Sequence, residues 1–238
     1  PPVSRRRSLR GTLASLAGGL VARHELFARS ETDTASWILF SDSHIAADRT
    51  LVSRGVNVSD HLERCVREVL ATRSNAAGVI VSGDCAFLNG QKSDYDTFGS
   101  LVKPLREAGL PMHLMMGNHD DRDRFREVMA AGAAPSPVEH RVVELVESPH
   151  ANWFLLDSLD KVNNTPGKLG EDQLRWLEKS LDAHAGKPAI VVVHHNVVPT
   201  TGKAAPQNAA SVTGVIAAVS KPPKAALLDS TELLDTVR

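Results

Sequence analysis

The residues of this chain best suited to chemistry form four short clusters, each at the end of an apolar run. Asp42-Ser43-His44 follows "WILFS" (residues 37–41), and Gly83-Asp84 follows "VIVS" (79–82). Gly117-Asn118-His119-Asp120 follows "HLMM" (113–116), and His194-His195 follows "IVVV" (190–193). Carboxylate and imidazole groups suit hard or borderline metals such as Fe, Mn, Zn, Co and Ni. The set holds too few oxygens for calcium, and Cys65 and Cys85 do not make the thiolate pair of a zinc ribbon. A carboxylate has two oxygens and several lone pairs, so Asp84 can bridge two ions.

Taken singly the clusters differ in weight. Asp-x-His and Gly-Asp after a strand are ordinary turn compositions. Gly-Asn-His-Asp says more, because no turn requires both the amide and the imidazole. His113, in mid-strand, reads as a satisfied core residue. His24, His61, His140, His150 and His184 have no acid or amide partner at strand-end spacing. Cys85 reads as a packed neighbour, and Asp121 and Asp123 as acids favoured at a helix N-terminus.

Strands and helices must carry these clusters to one place. "WILFS", "AGVIVSG", "LPMHLMMG" and "AIVVVHHN" read as buried strands. "DHLERCVREVLA" puts Leu62, Cys65, Val66, Val69 and Leu70 on one helical face. A second helix carries Phe98, Leu101, Val102 and Leu105 and is interrupted at Pro104. A short third helix holds Phe125, Val128 and Met129, and "DQLRWLEKSL" forms another. Residues 140–158 read as two antiparallel segments joined at Ser148-Pro149. Residues 197–226 read as a loop with one short helix around 212–219, and 162–170 as a lid with glycine hinges. The end starts a helix capped by Asp229 or Ser230. Helices between buried parallel strands give a layered α/β domain, whose ligands gather beyond the strands' carboxyl ends.

The composition agrees with this picture. The 238 residues suffice for one sizeable domain, and the net charge of −1 gives no basic face for nucleic acid. No apolar run is long enough to span a membrane. "SRRRSLR" followed by "GTLASLAGGLVA" makes residues 1–35 a basic tail or a twin-arginine-like signal. The signal reading places the protein outside the cytoplasm, in the periplasm, and the tail reading leaves it cytoplasmic.

The four clusters resemble, in order, the motifs of the calcineurin-like metallophosphoesterases: Asp42-x-His44, Gly83-Asp84, Gly117-Asn118-His119-Asp120 and His194 in "VVVHH". "GNHDDRDRF" and "KLGEDQLRWLEKSL" look like the class III branch, the cyclic-nucleotide and glycerophosphodiester phosphodiesterases. The resemblance implies a four-layer αββα sandwich lacking its last strands. It also implies a dinuclear phosphodiesterase that attacks a small phosphoester in line with a metal-bound hydroxide. Two divalent or trivalent ions (Fe, Mn or Zn) would be held, the first by Asp42 and His44, the second by Asn118 and His194, with Asp84 shared. His119 matches the family's non-ligand histidine, which meets the phosphate and protonates the leaving oxygen. Asp120 would orient His119 or raise its pKa. Arg122 is an optional phosphate contact, and Arg124 faces solvent. His195, on the opposite strand face from His194, is then a donor behind the metal ligand or a packing residue.

One motif departs from the family. A Gly-His-x-His on a later strand normally completes both metal shells, and no histidine follows His195 here. The terminal helix pattern also ends without a C-cap. The expectation is therefore a C-terminally incomplete domain over residues 36–238, with impaired metal binding. Two other readings stand beside the phosphodiesterase: a metal-dependent phosphomonoesterase, and an inactive module that binds a phosphorylated ligand or a partner. A Rossmann nucleotide module lacks its Gly-x-Gly-x-x-Gly after the first strand.

Overall fold

A computed structural model of the chain describes residues 36–72, 76–131, 134–197, 215–217 and 226–237. The tail or signal reading of residues 1–35 lies outside these. No helix among the described residues is long and apolar enough to cross a membrane.

Three strands, β1 (Ser36–Phe40), β4 (Ala76–Val81) and β5 (Met112–Leu114), pair in parallel in the order β1-β4-β5. Their crossovers are α1 (Val58–Thr72) and α2 (Lys92–Glu107), with a small hairpin, β2 (Val52–Ser53) and β3 (Val56–Asn57), ahead of α1. The register aligns Phe40 with Val81 and Val81 with Leu114. All three carboxyl ends therefore stop at one level, and the segments leaving them emerge side by side. After α3 (Arg122–Val128), a second sheet runs β6 (Glu144–Glu147), β7 (Asn152–Leu155), β8 (Ala189–Val193) and β9 (Val215–Ala217). The β6–β7 pair is antiparallel, and the other two pairings are parallel. Helix α4 (Glu171–Ala183) links β7 to β8, and α5 (Ser230–Thr236) ends the described chain.

Strand alternation divides the interior into three cores. On β4, Val79 and Val81 face Leu62 and Val66 of α1, Phe98, Val102 and Leu105 of α2, and Phe125 of α3. Ile80, between them, turns the other way and joins Met115, Val146, Trp153, Leu155 and Val192. Trp37 packs on Trp153 there, with ring centroids 5.2 Å apart. On the far side, Phe154, Val191 and Val193 meet Leu177 of α4, Leu233 of α5 and Val237 just after it. Helices, sheet, sheet and helices thus stack as a four-layer αββα sandwich.

Several local expectations need correction. Pro104 does not interrupt α2. The ring frees the carbonyl of Ser100 on the solvent side, where water can serve it, while buried Leu101, Val102 and Leu105 hold the helix. Residues 215–217, placed in an expected helix, form β9, because β8 offers an open edge to the β-branched pair Val215-Ile216. Cys65 is exposed, at the flank of the α1 stripe rather than on it. The expected lid at 162–170 is tied down: Asn163 donates to the Asn118 carbonyl at 2.6 Å, Gly167 to Ala226 at 3.1 Å and Lys168 to Ser158 at 2.9 Å. Asp229 is the N-cap residue of α5, yet its carboxylate accepts from Leu169 and Gly170 at the start of α4, joining the two helices.

Candidate metal centre

The backbone at the strand ends is strained where the carboxylates and imidazoles sit. Asp42, His44 and Asp84 have φ of 54°, 46° and 52°, in the left-handed region that L side chains avoid. Each such residue costs on the order of 1–3 kcal/mol and persists only when its surroundings impose it. Here a ladder imposes it: Asp42 N–H donates to Gly83 O at 3.2 Å, His44 to Asp84 O at 2.9 Å and Ile45 to Cys85 O at 3.0 Å. Gly117 has to be glycine, since a Cβ there would lie 2.1 Å from Asp84 Oδ1.

These turns converge on one carboxylate. Asp84 is 2 % exposed, and its Oδ1 accepts the His119 backbone N–H at 2.8 Å. That leaves Oδ2 facing two imidazoles, His44 Nε2 at 3.6 Å and His194 Nε2 at 3.5 Å. His44 Nε2 also lies 3.6 Å from Asp42 Oδ1. The ligand atoms form two overlapping groups that share Asp84: His44, Asp84 and His119 in one, Asp42, Asp84 and His194 in the other, each within 4.8 Å. Asn118 is buried on the turn between Gly117 and His119.

The donor set fits metal binding on its hydrogen bonding as well as its composition. His194 Nδ1 lies 2.8 Å from the Ser82 carbonyl, and His119 Nδ1 lies 2.8 Å from that of Leu88. A carbonyl only accepts, so each Nδ1 carries a proton and each Nε2 is the ring nitrogen left facing the cluster, open to a cation or a proton. Metal-bound histidines are oriented in this way. Electrostatics agree with a crowded polar site. Burial lifts the Asp42 carboxyl, but bonds from His44 and Ser41 and the charge of His194 outweigh it and hold the group below the usual range. Asp84 is likewise lifted by burial and, on balance, lowered by His194, the His119 amide and His44. Burial pulls the His194 imidazole down, yet the bond to Asp84 and the charges of Asp84 and Asp42 carry it up to about 9.

The structure also revises the expected supporting roles. Asp120 does not orient His119, whose ring is held by Leu88 instead. The fully buried Asp120 carboxylate accepts from Gly117 N–H at 2.9 Å, Ala86 N–H at 3.2 Å and the Tyr95 hydroxyl at 3.1 Å. It clamps the 83–86 segment to the 117–120 turn, and burial, reinforced by the Asp84 charge, raises it to about 6. Arg122 is not poised for a phosphate. Its Nε and one terminal nitrogen grip the buried Asp157 carboxylate at 2.6 and 2.8 Å, and it also donates to Leu159 O. Arg124 donates to Asn89 O at 3.0 Å. His195 is buried edge-on to His194, with Nδ1 2.8 Å from Ser158 Oγ, and burial with the His194 charge lowers it to about 4. Tyr95, Asp157 and Ser158 were not singled out from sequence. For Tyr95 a signal existed, since a hydroxyl carried on the buried face of α2 must find a partner.

Comparison with known proteins places this geometry in a class. The family model for calcineurin-like phosphoesterases matches residues 37–218, and the chain belongs to that family. It is 30% identical over 161 residues to a probable cyclic nucleotide phosphodiesterase of Rhodopseudomonas palustris, covering 67% of this chain and 56% of that protein. To the 3',5'-cyclic adenosine monophosphate phosphodiesterase CpdA of Pseudomonas aeruginosa it is 29% identical, covering 68% of this chain and 55% of the relative. A probable glycerophosphodiester phosphodiesterase GpdQ of Arcobacter nitrofigilis is 27% identical, with 65% of this chain and 55% of the relative covered. The chain spans just over half the length of these relatives.

Proposed function

We propose that the protein hydrolyses phosphodiesters with a dinuclear metal centre. The observation that carries the reading is the sharing of Asp84 by two ligand groups at one rim of the sandwich. In this reading Asp42, His44, Asn118 and His194, together with the shared Asp84, would hold the two ions. Two such ions would supply Lewis-acid charge and lower the pKa of water bound to them. The chain's own groups do the rest. His119, fixed through Nδ1 on the Leu88 carbonyl, presents Nε2 to the phosphoryl group and, as the doubly protonated imidazolium, would give the Nε2 proton to the leaving oxygen. Asp120 acts one layer back, keeping the turn that bears Asn118 and His119 against Asp84. The names of the relatives support a diester over a monoester substrate.

The test is hydrolysis of bis(p-nitrophenyl) phosphate against p-nitrophenyl phosphate with Mn²⁺ added, in the protein and in Asp84→Asn. Diester turnover that the variant abolishes supports the proposal. A preference for the monoester reassigns the protein as a phosphomonoesterase. Phosphate binding without turnover of either ester points to the inactive binding module.

A further inference from the structure

A cavity of about 520 Å³ lies where α3 meets the edge strands of both sheets, β5 and β6. None of the residues that form the candidate centre lines it. Its volume is that of a small-molecule site, about 300–1,000 Å³. Met112 and Leu114, two apart on β5, share one strand face. Phe125 and Met129, four apart, share one side of α3 and its C-cap. With Leu145 of β6 they give the cavity a continuous apolar wall.

The charge around that wall is mostly of one sign. Arg106, Arg126 and Arg141 line the cavity against a single acid, Glu144, which is bonded to His113 Nδ1 at 2.8 Å. Arg141 turns one terminal nitrogen to the carbonyls of Leu159 and Lys168, at 2.9 and 3.2 Å. Arg126 donates to Arg141 O at 3.0 Å and meets Asp123 at 3.5 Å, which leaves most of its N–H donors open. The Arg106 side chain, exposed in the last turn of α2, has no hydrogen bond or ion pair among the described residues. An uncharged lipid leaves these guanidinium groups unanswered, and inorganic phosphate leaves the wall uncovered. A nucleobase needs partners for its ring edges, and the hydroxyl among the lining residues, Ser136 Oγ, is held by the Val143 N–H at 3.1 Å. An aliphatic chain ending in a carboxylate satisfies both parts. Guanidinium pairs with carboxylate through two parallel hydrogen bonds, and flexible methionine side chains adapt to an alkyl tail.

We infer that this cavity is a second binding site, for a medium-chain alkyl carboxylate, with Arg106 and Arg126 holding the carboxylate and the wall of β5, α3 and β6 covering the tail. The test is equilibrium dialysis of radiolabelled decanoate against the full chain with Mn²⁺ present, below the concentration at which the acid forms micelles. The expected result is one equivalent bound, at least about tenfold more tightly than hexanoate, since each buried methylene is worth about fourfold. Saturating inorganic phosphate leaves that binding unchanged, because the metal centre is elsewhere. Arg106→Gln, which removes no bond within the described fold, weakens it about threefold, and Arg106→Gln with Arg126→Gln about tenfold or more. Absence of binding, equal binding of hexanoate, or full affinity in both variants overturns the inference. Displacement by phosphate also overturns it, by assigning decanoate to the metal centre.

Discussion

Asp84 is the residue on which the centre turns. One oxygen is taken by a backbone N–H and the other faces two imidazoles, so Asp84→Asn removes the charge common to both ligand groups. The expected outcome is loss of bound metal from both positions, read by elemental analysis after Mn²⁺ loading. Retention of even one full equivalent would show that Asp84 is not shared. His194 gives a second prediction at this scale. With its pKa at about 9, the imidazole carries a proton at pH 7 that a cation on Nε2 must displace. Metal binding should therefore release a proton, and affinity should rise with pH toward about 9. Calorimetric Mn²⁺ titrations in buffers of different ionisation enthalpy count that proton, and a count of zero at pH 7 contradicts the assignment. Arg122 gives a third. Its pairing with the buried Asp157 makes it structural, so Arg122→Met should cost about 3 kcal/mol in urea unfolding. A rise in KM without loss of stability would return it to the substrate.

At the scale of elements, the centre depends on how closely two turns approach. The turn after β5 passes over the one after β4 with only a glycine's width between them. Gly117→Ala puts a methyl group 2.1 Å from Asp84 Oδ1, so either the turn or the carboxylate must move. The expected result is weakened metal binding and lost turnover, larger than the change in melting temperature, because the strands beneath are untouched. The Tyr95 hydroxyl bridges the same region from α2, donating to Asp120 and accepting the Asp121 N–H at 2.8 Å. Tyr95→Phe leaves both without that partner and should destabilise by about 1–3 kcal/mol in chemical denaturation. An unchanged midpoint would mean that water replaces the hydroxyl.

At the scale of the whole molecule, the site belongs to both sheets. Asp42, Asp84 and the 117–120 turn leave the first sheet, while His194 leaves the second and is bonded back to Ser82 of the first. A cation held between them should stabilise the sandwich as a unit, by about 2.7 kcal/mol at a hundredfold excess over Kd. Thermal melts with Mn²⁺, and again after chelation, check this. An unchanged melting temperature on loading would place the metal elsewhere or exclude it. The sequence by itself determined the strand-end clusters, the parallel α/β layering and the ligand types, because apolar periodicity and residue chemistry are local properties. It could not determine that Asp120 serves backbone amides, that Arg122 is taken by Asp157, or that 215–217 pairs with β8. Apart from Gly117, those partners lie far along the chain, and only the packing of two sheets decides which groups meet. The same packing turned Leu88, an unremarked loop residue, into a neighbour of His119.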